Sequence, residues 1–153
     1  MLCPACRQPM IVVEVDQVEL DACPDCRGVW FDAQELEQLF ELAGAPEHVR
    51  DLESHFERIP ATRSRPRCPR CRRRMDPVRV RSVKEELVLD ECPRGHGLWF
   101  DQGELGMFAA GLVGVESELL TRIREFLGHF AFVEKARGGG SGTASQTEGE
   151  DVT

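Results

Sequence analysis

The stretch CPDCRGVWFDAQEL, residues 23–36, returns 69 positions later as CPRGHGLWFDQGEL, residues 92–105. The two copies agree closely except at one cysteine. In the first, Cys23 and Cys26 have the Cys-x-x-Cys spacing that delivers two thiolates to one point on a tight turn. In the second, Cys92 stands alone, Gly95 fills the place of Cys26, and His96 follows it. Whether His96 supplies the missing ligand decides whether the chain holds two metals or one.

The repeat extends upstream. At an offset of 65, Cys3, Cys6, Met10, Val13 and Val15 pair with Cys68, Cys71, Met75, Val78 and Val80. From Val18 onward the offset becomes 69, which puts four extra residues around Ser82–Glu85, where a longer hairpin turn is tolerated at little cost. Between the cysteine pairs the pattern alternates. Ile11, Val13 and Val15 share one face, with Val18, Leu20 and Ala22 across from them, while Glu14, Glu19 and Asp21 face water. The second copy turns Val78, Val80, Leu87 and Leu89 inward in the same way. Each unit thus reads as a β-hairpin with a metal knuckle at each end.

A helix follows each unit. Asp32 is expected as its N-cap, with Glu35 completing a D-x-x-E capping box before the apolar stripe Leu36, Leu39, Phe40 and Ala43, which ends at Gly44. Asp101 and Glu104 do the same for Leu105, Phe108 and Ala109. The shared WFD therefore has a structural reading: an aromatic pair beside the metal, then a cap. Pro46 is expected to start a further helix with Val49, Leu52, Phe56 and Ile59 inward, before the linker IPATRSRPR, residues 59–67. Leu119, Ile123, Phe126, Phe130 and Val133 form a short heptad seam, which packs on its own domain or joins two chains. From Gly138 the chain is glycine-rich and polar, and disorder is expected. The fold class expected is a small, metal-stabilised α+β protein. Its parts are a first hairpin unit with its helix over 1–44, a helix and linker over 45–67, a second unit with its helix over 68–113, an amphipathic C-terminal helix over 114–137 and a disordered tail over 138–153.

Cys3, Cys6, Cys23 and Cys26 meet the four-ligand requirement of a tetrahedral Zn2+ site outright. For the second unit, Cys68, Cys71 and Cys92 give three thiolates and His96 is the expected fourth ligand. An imidazole is longer than a thiol and reaches from one position further along, and Gly95 and Gly97 let the backbone take the altered turn. The alternative is a three-cysteine site completed by water. The expectation is two Zn2+ per chain, each closed by protein ligands and each coupled to folding, since such small units have little core of their own.

The opening MLCPACRQPM has no charged n-region and apolar h-region, and no apolar run is long enough to span a bilayer. A cytoplasmic, reducing setting is expected, where paired cysteines serve metals rather than disulfides. The net charge of −8 argues against a general nucleic-acid coat, but it is unevenly spread. Residues 1–60 carry 4 basic and 13 acidic side chains, residues 61–100 carry 11 and 5, and residues 101–153 carry 4 and 9. The middle is a local positive field able to select partners.

These motifs resemble the transcription-factor-IIB-type zinc ribbons of small bacterial and archaeal proteins. That family's pattern is a CPxC turn, a short hairpin, then CPxCxGxWxD and an x-E-L helix, met here by CPAC with CPDCRGVWFDAQEL. CPRC with CPRGHGLWFDQGEL looks like the variant in which histidine replaces the last cysteine. The resemblance implies a zinc-bound ribbon fold and leaves the activity open.

Three functions are weighed. A nucleic-acid-binding or transcription-associated role rests on residues 63–84, in which ten of 22 side chains are basic, with Arg70, Arg72, Arg73, Arg74, Arg79 and Arg81 as candidate contacts. That segment has no aromatic residue for base stacking. A protein-binding or adaptor role rests on charge complementarity, because Glu14 and Asp16 align with Arg79 and Arg81, so the two ribbons can pair with each other or with a partner. An enzyme is the least expected, since Cys3 has no strand before it as a thioredoxin-like dithiol needs, and His48, His55 and His129 have no nucleophile placed beside them. The reading is a non-enzymatic adaptor working through protein contacts, with nucleic acid as the alternative. Neither membrane nor small-molecule substrate is expected, and self-association through a helix over 115–133 is the further partner considered.

Overall fold

The computed structural model of the chain describes residues 1–15, 17–42, 47, 56–81 and 86–111. The first repeat forms β1 (Ile11–Val15), β2 (Val18–Ala22), β3 (Val29–Asp32) and helix α1 (Glu35–Leu42). The second forms β5 (Asp76–Val80), β6 (Val88–Glu91), β7 (Gly97–Phe100) and helix α2 (Glu104–Gly111), preceded by a short strand β4 (Phe56–Arg58). All seven strands join in one antiparallel sheet of order β1-β2-β3-β7-β6-β5-β4.

The repeats meet edge to edge at β3 and β7. Trp30 pairs with Trp99, Val29 with Phe100, Phe31 with Leu98, and Asp32 with Gly97. An antiparallel pairing centred on equivalent residues relates the repeats by a local two-fold axis, the geometry of a symmetric dimer within one chain. Strand alternation then gives the sheet two different faces. Val29, Phe31, Leu98 and Phe100 face one way, and α1 packs over β2 and β3 on that side. There Phe31 and Phe100 meet edge to face at 5.5 Å, and Phe100 meets Phe108 of α2 at 5.8 Å. Val18, Leu20, Val78, Val80, Leu87 and Leu89 complete this core, so residues of both repeats share it. The opposite face holds Trp30, Trp99, Met10, Met75 and the buried cysteines.

Val13, Val18, Leu20, Ala22, Val78, Val80, Leu87 and Leu89 turn inward as read from the sequence, whereas Ile11 is 44% exposed and Asp21, expected in water, is half-buried; the Val15 side chain lies outside the described residues. The strand of Ile11 is the outer edge of the sheet. A second difference concerns Phe56 and Ile59, expected within a helix from Pro46. Residues 56–58 are instead extended and pair with β5: Phe56 opposite Val80, Glu57 opposite Arg79 and Arg58 opposite Val78. An open strand edge supplies backbone partners that an isolated short helix lacks. Alternation also packs Phe56 on the shared core and sets Glu57 between Arg79 and Arg81.

The helix caps are a third difference. The Glu half of each box is present, with the Asp32 amide donating to Glu35 Oε2 at 2.6 Å and the Asp101 amide to Glu104 Oε2 at 2.7 Å. The Asp side chains do something else: Asp32 Oδ1 and Asp101 Oδ1 each accept the indole N–H of Trp30 and Trp99, both at 2.8 Å. A buried indole N–H without an acceptor is costly, and an aspartate two residues along the chain supplies one. The helices then begin after a turn with Gln34 at φ 74° and Gly103 at φ 84°.

Val49, Leu52, Ala43, Gly44, the insertion Ser82–Glu85, the helix and seam expected within 114–137 and the tail 138–153 lie outside the described residues. Among the described residues no helix is long and apolar enough to cross a membrane.

Candidate metal centres

Two groups of donors converge, Cys3, Cys6, Cys23 and Cys26 in one and Cys68, Cys71, Cys92 and His96 in the other, with ligand atoms all within 4.8 Å of one another. In the first, Cys3 Sγ lies 3.5 Å from Cys26 Sγ and Cys6 Sγ 3.4 Å from Cys23 Sγ. In the second, Cys71 Sγ lies 3.6 Å from Cys92 Sγ, and His96 Nδ1 is 3.4 Å from Cys92 Sγ and 3.9 Å from Cys68 Sγ. Backbone amides point at the sulfurs, that of Cys6 at Cys3 Sγ (3.4 Å), Cys26 at Cys23 Sγ (3.5 Å) and Arg94 at Cys92 Sγ (3.4 Å).

The substituted knuckle shows how histidine replaces cysteine. In the three Cys-x-x-Cys knuckles the residue after the second cysteine takes a left-handed conformation: Arg7 at φ 68°, Arg27 at 62° and Arg72 at 65°. Its amide returns to the carbonyl of the first cysteine four residues back, at 3.0, 3.0 and 2.9 Å. After Cys92 the left-handed residue comes one position earlier, at Gly95 with φ 73°, whose amide bonds the Cys92 carbonyl at 2.9 Å. The turn is one residue tighter, and His96 emerges where its longer side chain brings Nδ1 to the thiolates. Glycine suits that bend because left-handed backbone costs other residues on the order of 1 kcal/mol, a cost the other three knuckles carry at Arg7, Arg27 and Arg72.

The chemistry of the donors fits a divalent cation. Burial pushes the Cys3 thiol up to about 11 and the Cys68 thiol up to about 12. Thiols so placed stay protonated unless a cation deprotonates them, as Zn2+ does. The Arg73 amide beside Cys71, helped by His96, draws that thiol down to about 6. Each site brings four soft or borderline protein donors, so the residues present fit two zinc ions.

The second knuckle of each repeat is covered by the tryptophan of the other. The Cys23 amide bonds the Gly28 carbonyl at 2.9 Å and the Cys92 amide bonds the Gly97 carbonyl at 3.0 Å. The indole of Trp99 lies on Gly28, where a Cβ would come within 2.0 Å of the ring, and that of Trp30 lies on Gly97 at 2.8 Å. A Cβ on Gly97 would also meet the Phe31 carbonyl at 2.0 Å. Each tryptophan thus roofs the partner repeat's metal knuckle. Only glycine admits that approach.

The family model described as transcription factor zinc-finger matches residues 2–42 and 67–108, more than half of the chain. The chain belongs to this family, the TFIIB-type zinc ribbons. No curated protein and no solved structure matches it. Its two matched stretches coincide with the two repeats, so the protein is a tandem zinc ribbon.

The candidate arginines of the second ribbon have varied surroundings. Arg70 forms a two-pronged pair with Asp32 of the first ribbon, Nε to Oδ1 at 2.7 Å and Nη2 to Oδ2. The Arg70 guanidinium holds the Asp32 carboxyl below its ordinary value against the opposing effect of burial. Arg79 lies 3.6 Å from Glu57 and 3.1 Å from Glu86, and Arg81 lies 3.2 Å from Glu57. The sequence alignment of Glu14 and Asp16 with Arg79 and Arg81 suggested that acidic and basic ribbons pair through these residues. Within one chain Glu14 does not meet Arg79 or Arg81, because β1 and β5 stand at opposite sides of the sheet and the ribbons join through β3 and β7; Asp16 lies outside the described residues. Arg72, Arg73 and Arg74 are exposed on the knuckle, with Arg74 bonding Ser64 and the Arg65 carbonyl.

Sequence reasoning missed the glycine and tryptophan roof, although both copies carry G-x-W at the same place. It also missed Arg65 Nε, which meets Asp90 Oδ1 at 2.5 Å in a buried pair. Burial outweighs this guanidinium and holds the Asp90 carboxyl up at about 6. Asp90 stands in a strand expected to put its charges in water, and its alternation alone did not distinguish the metal face from solvent.

Proposed function

We propose that this tandem zinc ribbon is a non-enzymatic adaptor that works through protein contacts in the cytoplasm. The observation that carries the reading is the pairing of Arg79 and Arg81 with Glu57 and Glu86 in their own sheet. Charges already matched within the fold offer less to phosphates than a free stripe does. The donor sets support it too, since four protein ligands at each site leave no open position of the kind hydrolytic zinc uses. A nucleic-acid role is favoured by a different observation, the exposed Arg67, Arg72, Arg73 and Arg74 around the CPRC turn.

A fluorescence-anisotropy titration of the zinc-loaded protein with mixed-sequence single- and double-stranded DNA and RNA at two salt concentrations separates the two. The adaptor reading expects no binding at low salt. Tight binding that weakens steeply with salt and is lost in Arg72→Glu/Arg73→Glu overturns it.

A further inference from the structure

We propose that the outer edge of β1 is a docking strand for an extended segment of another protein, one that carries a basic residue between apolar neighbours. This deepens the adaptor reading and rests on it. The two ribbons are related by a local two-fold axis, so β1, β2 and β3 of one correspond to β5, β6 and β7 of the other. The outer edge of β5 is covered by β4, and among the described residues no strand pairs with the outer edge of β1. An uncovered edge presents unpaired backbone donors and acceptors that an extended peptide can complete.

The second ribbon shows what such a strand looks like. In β4, Phe56 stands opposite Val80, Glu57 opposite Arg79 and Arg58 opposite Val78. The equivalents of Val78, Arg79 and Val80 in β1 are Val13, Glu14 and Val15. The central charge is therefore inverted, and the strand that fits β1 has a lysine or arginine where β4 has Glu57. Around it the first ribbon exposes four apolar side chains, where the second has two prolines and two charged residues. Met1, Leu2, Ile11 and Val12 are 41%, 46%, 44% and 65% exposed. Their counterparts are Pro66, Arg67, Asp76 and Pro77. Leu2 bridges to Pro9 and the Met10 amide bonds the Met1 carbonyl, so these side chains border the same edge. Apolar contact with a central carboxylate selects an apolar-basic-apolar segment, and antiparallel pairing of β1 with a second copy of itself centred on Glu14 would instead set the two Glu14 carboxylates side by side.

The test uses the full-length, zinc-loaded protein and two fluorescent peptides, one with the sequence of residues 54–61 carrying Arg58→Val and one with that sequence carrying Glu57→Lys as well. The lysine peptide should bind at least tenfold more tightly than the glutamate peptide, with amide shift changes centred on β1. The variant Glu14→Arg carries the residue that the second ribbon holds at this position, so it keeps the fold, and in it the preference should reverse. No binding up to millimolar peptide, an unchanged preference in Glu14→Arg, or a concentration-dependent dimer mediated by β1 would overturn the inference. So would slow hydrogen exchange of the Val12 and Glu14 amides in the free protein, because the edge would then be covered already. A partner protein that binds wild type and Glu14→Arg equally would defeat this site and leave the adaptor reading standing, whereas salt-sensitive nucleic-acid binding lost with the knuckle arginines defeats the reading itself.

Discussion

At residue scale, His96 does the work of a cysteine because Gly95 bends the chain one position early. The replacement was readable in CPRGH, since a histidine beside two glycines at the end of a cysteine pattern has a chemical reason to be there. His96→Ala should reduce zinc from two to about one per chain under mild chelator competition, measured by metal analysis; two retained zinc ions with unchanged affinity would make water or another residue the fourth ligand. Gly95→Ala should destabilise by about 1 kcal/mol in zinc-saturated thermal unfolding, since nothing stands within 4 Å of the new Cβ and the left-handed φ is the whole penalty. Glu104 titrates in a different sense. Burial holds its carboxyl up at about 7, above the ordinary 4.5, so its contribution to folding is complete below about pH 4.5 and is lost as pH rises through 7. Zinc binding changes with pH in the opposite direction, because thiolates must form. Glu104→Gln keeps an acceptor for the Asp101 amide and removes only the titration. With zinc saturating, the variant should gain on wild type between pH 5 and pH 8 by on the order of 1 kcal/mol, less than the full shift because the side chain is half-exposed. A constant difference in Tm across that range would show that the carboxyl is not held high.

At the scale of elements, β3 and β7 are each other's edge cover, and their tryptophans tie the two metal sites into one cluster. The four hairpin strands β1, β2, β5 and β6 were legible, because valine and leucine alternate with charge between the knuckles, whereas β3 and β7 were read only as an aromatic pair before a helix cap. The strand order was not legible, since alternation says which face a side chain takes and nothing about which edge meets which. The same gap explains β4, whose three residues carry too little pattern to oppose a helical reading from Pro46. The cross-roofing has a measurable consequence. Cys71→Ser, which disables the second site, should weaken zinc at the intact first site by tenfold or more, because Trp99 is then no longer held over Gly28. Equal affinity in wild type and variant, measured against a competing chelator, would mean the ribbons bind metal independently.

At the scale of the molecule, the chain is an internal dimer whose halves have diverged in charge. Arg70 reaches Asp32 across the junction, whereas the first ribbon has Ala5 in the place of Arg70. A fragment of residues 1–44 keeps four cysteines but exposes β3 with Val29, Trp30 and Phe31. With zinc it should form a dimer through antiparallel β3 strands, seen by sedimentation equilibrium. A stable monomer would show that one ribbon buries enough surface alone.

The sequence by itself determined the two zinc sites, the hairpins between their knuckles and the helices after them, because ligand spacing, alternation and the D-x-x-E signal are local and act within a few residues. Only the tertiary structure decided that the repeats share one sheet and one core, that each tryptophan covers the other's glycine, and that Arg79 and Arg81 face Glu57 rather than Glu14. Those outcomes depend on which strand edges and which charges come together across long stretches of chain, and hydrogen-bonding edges carry no mark in the side-chain pattern that would name their partner.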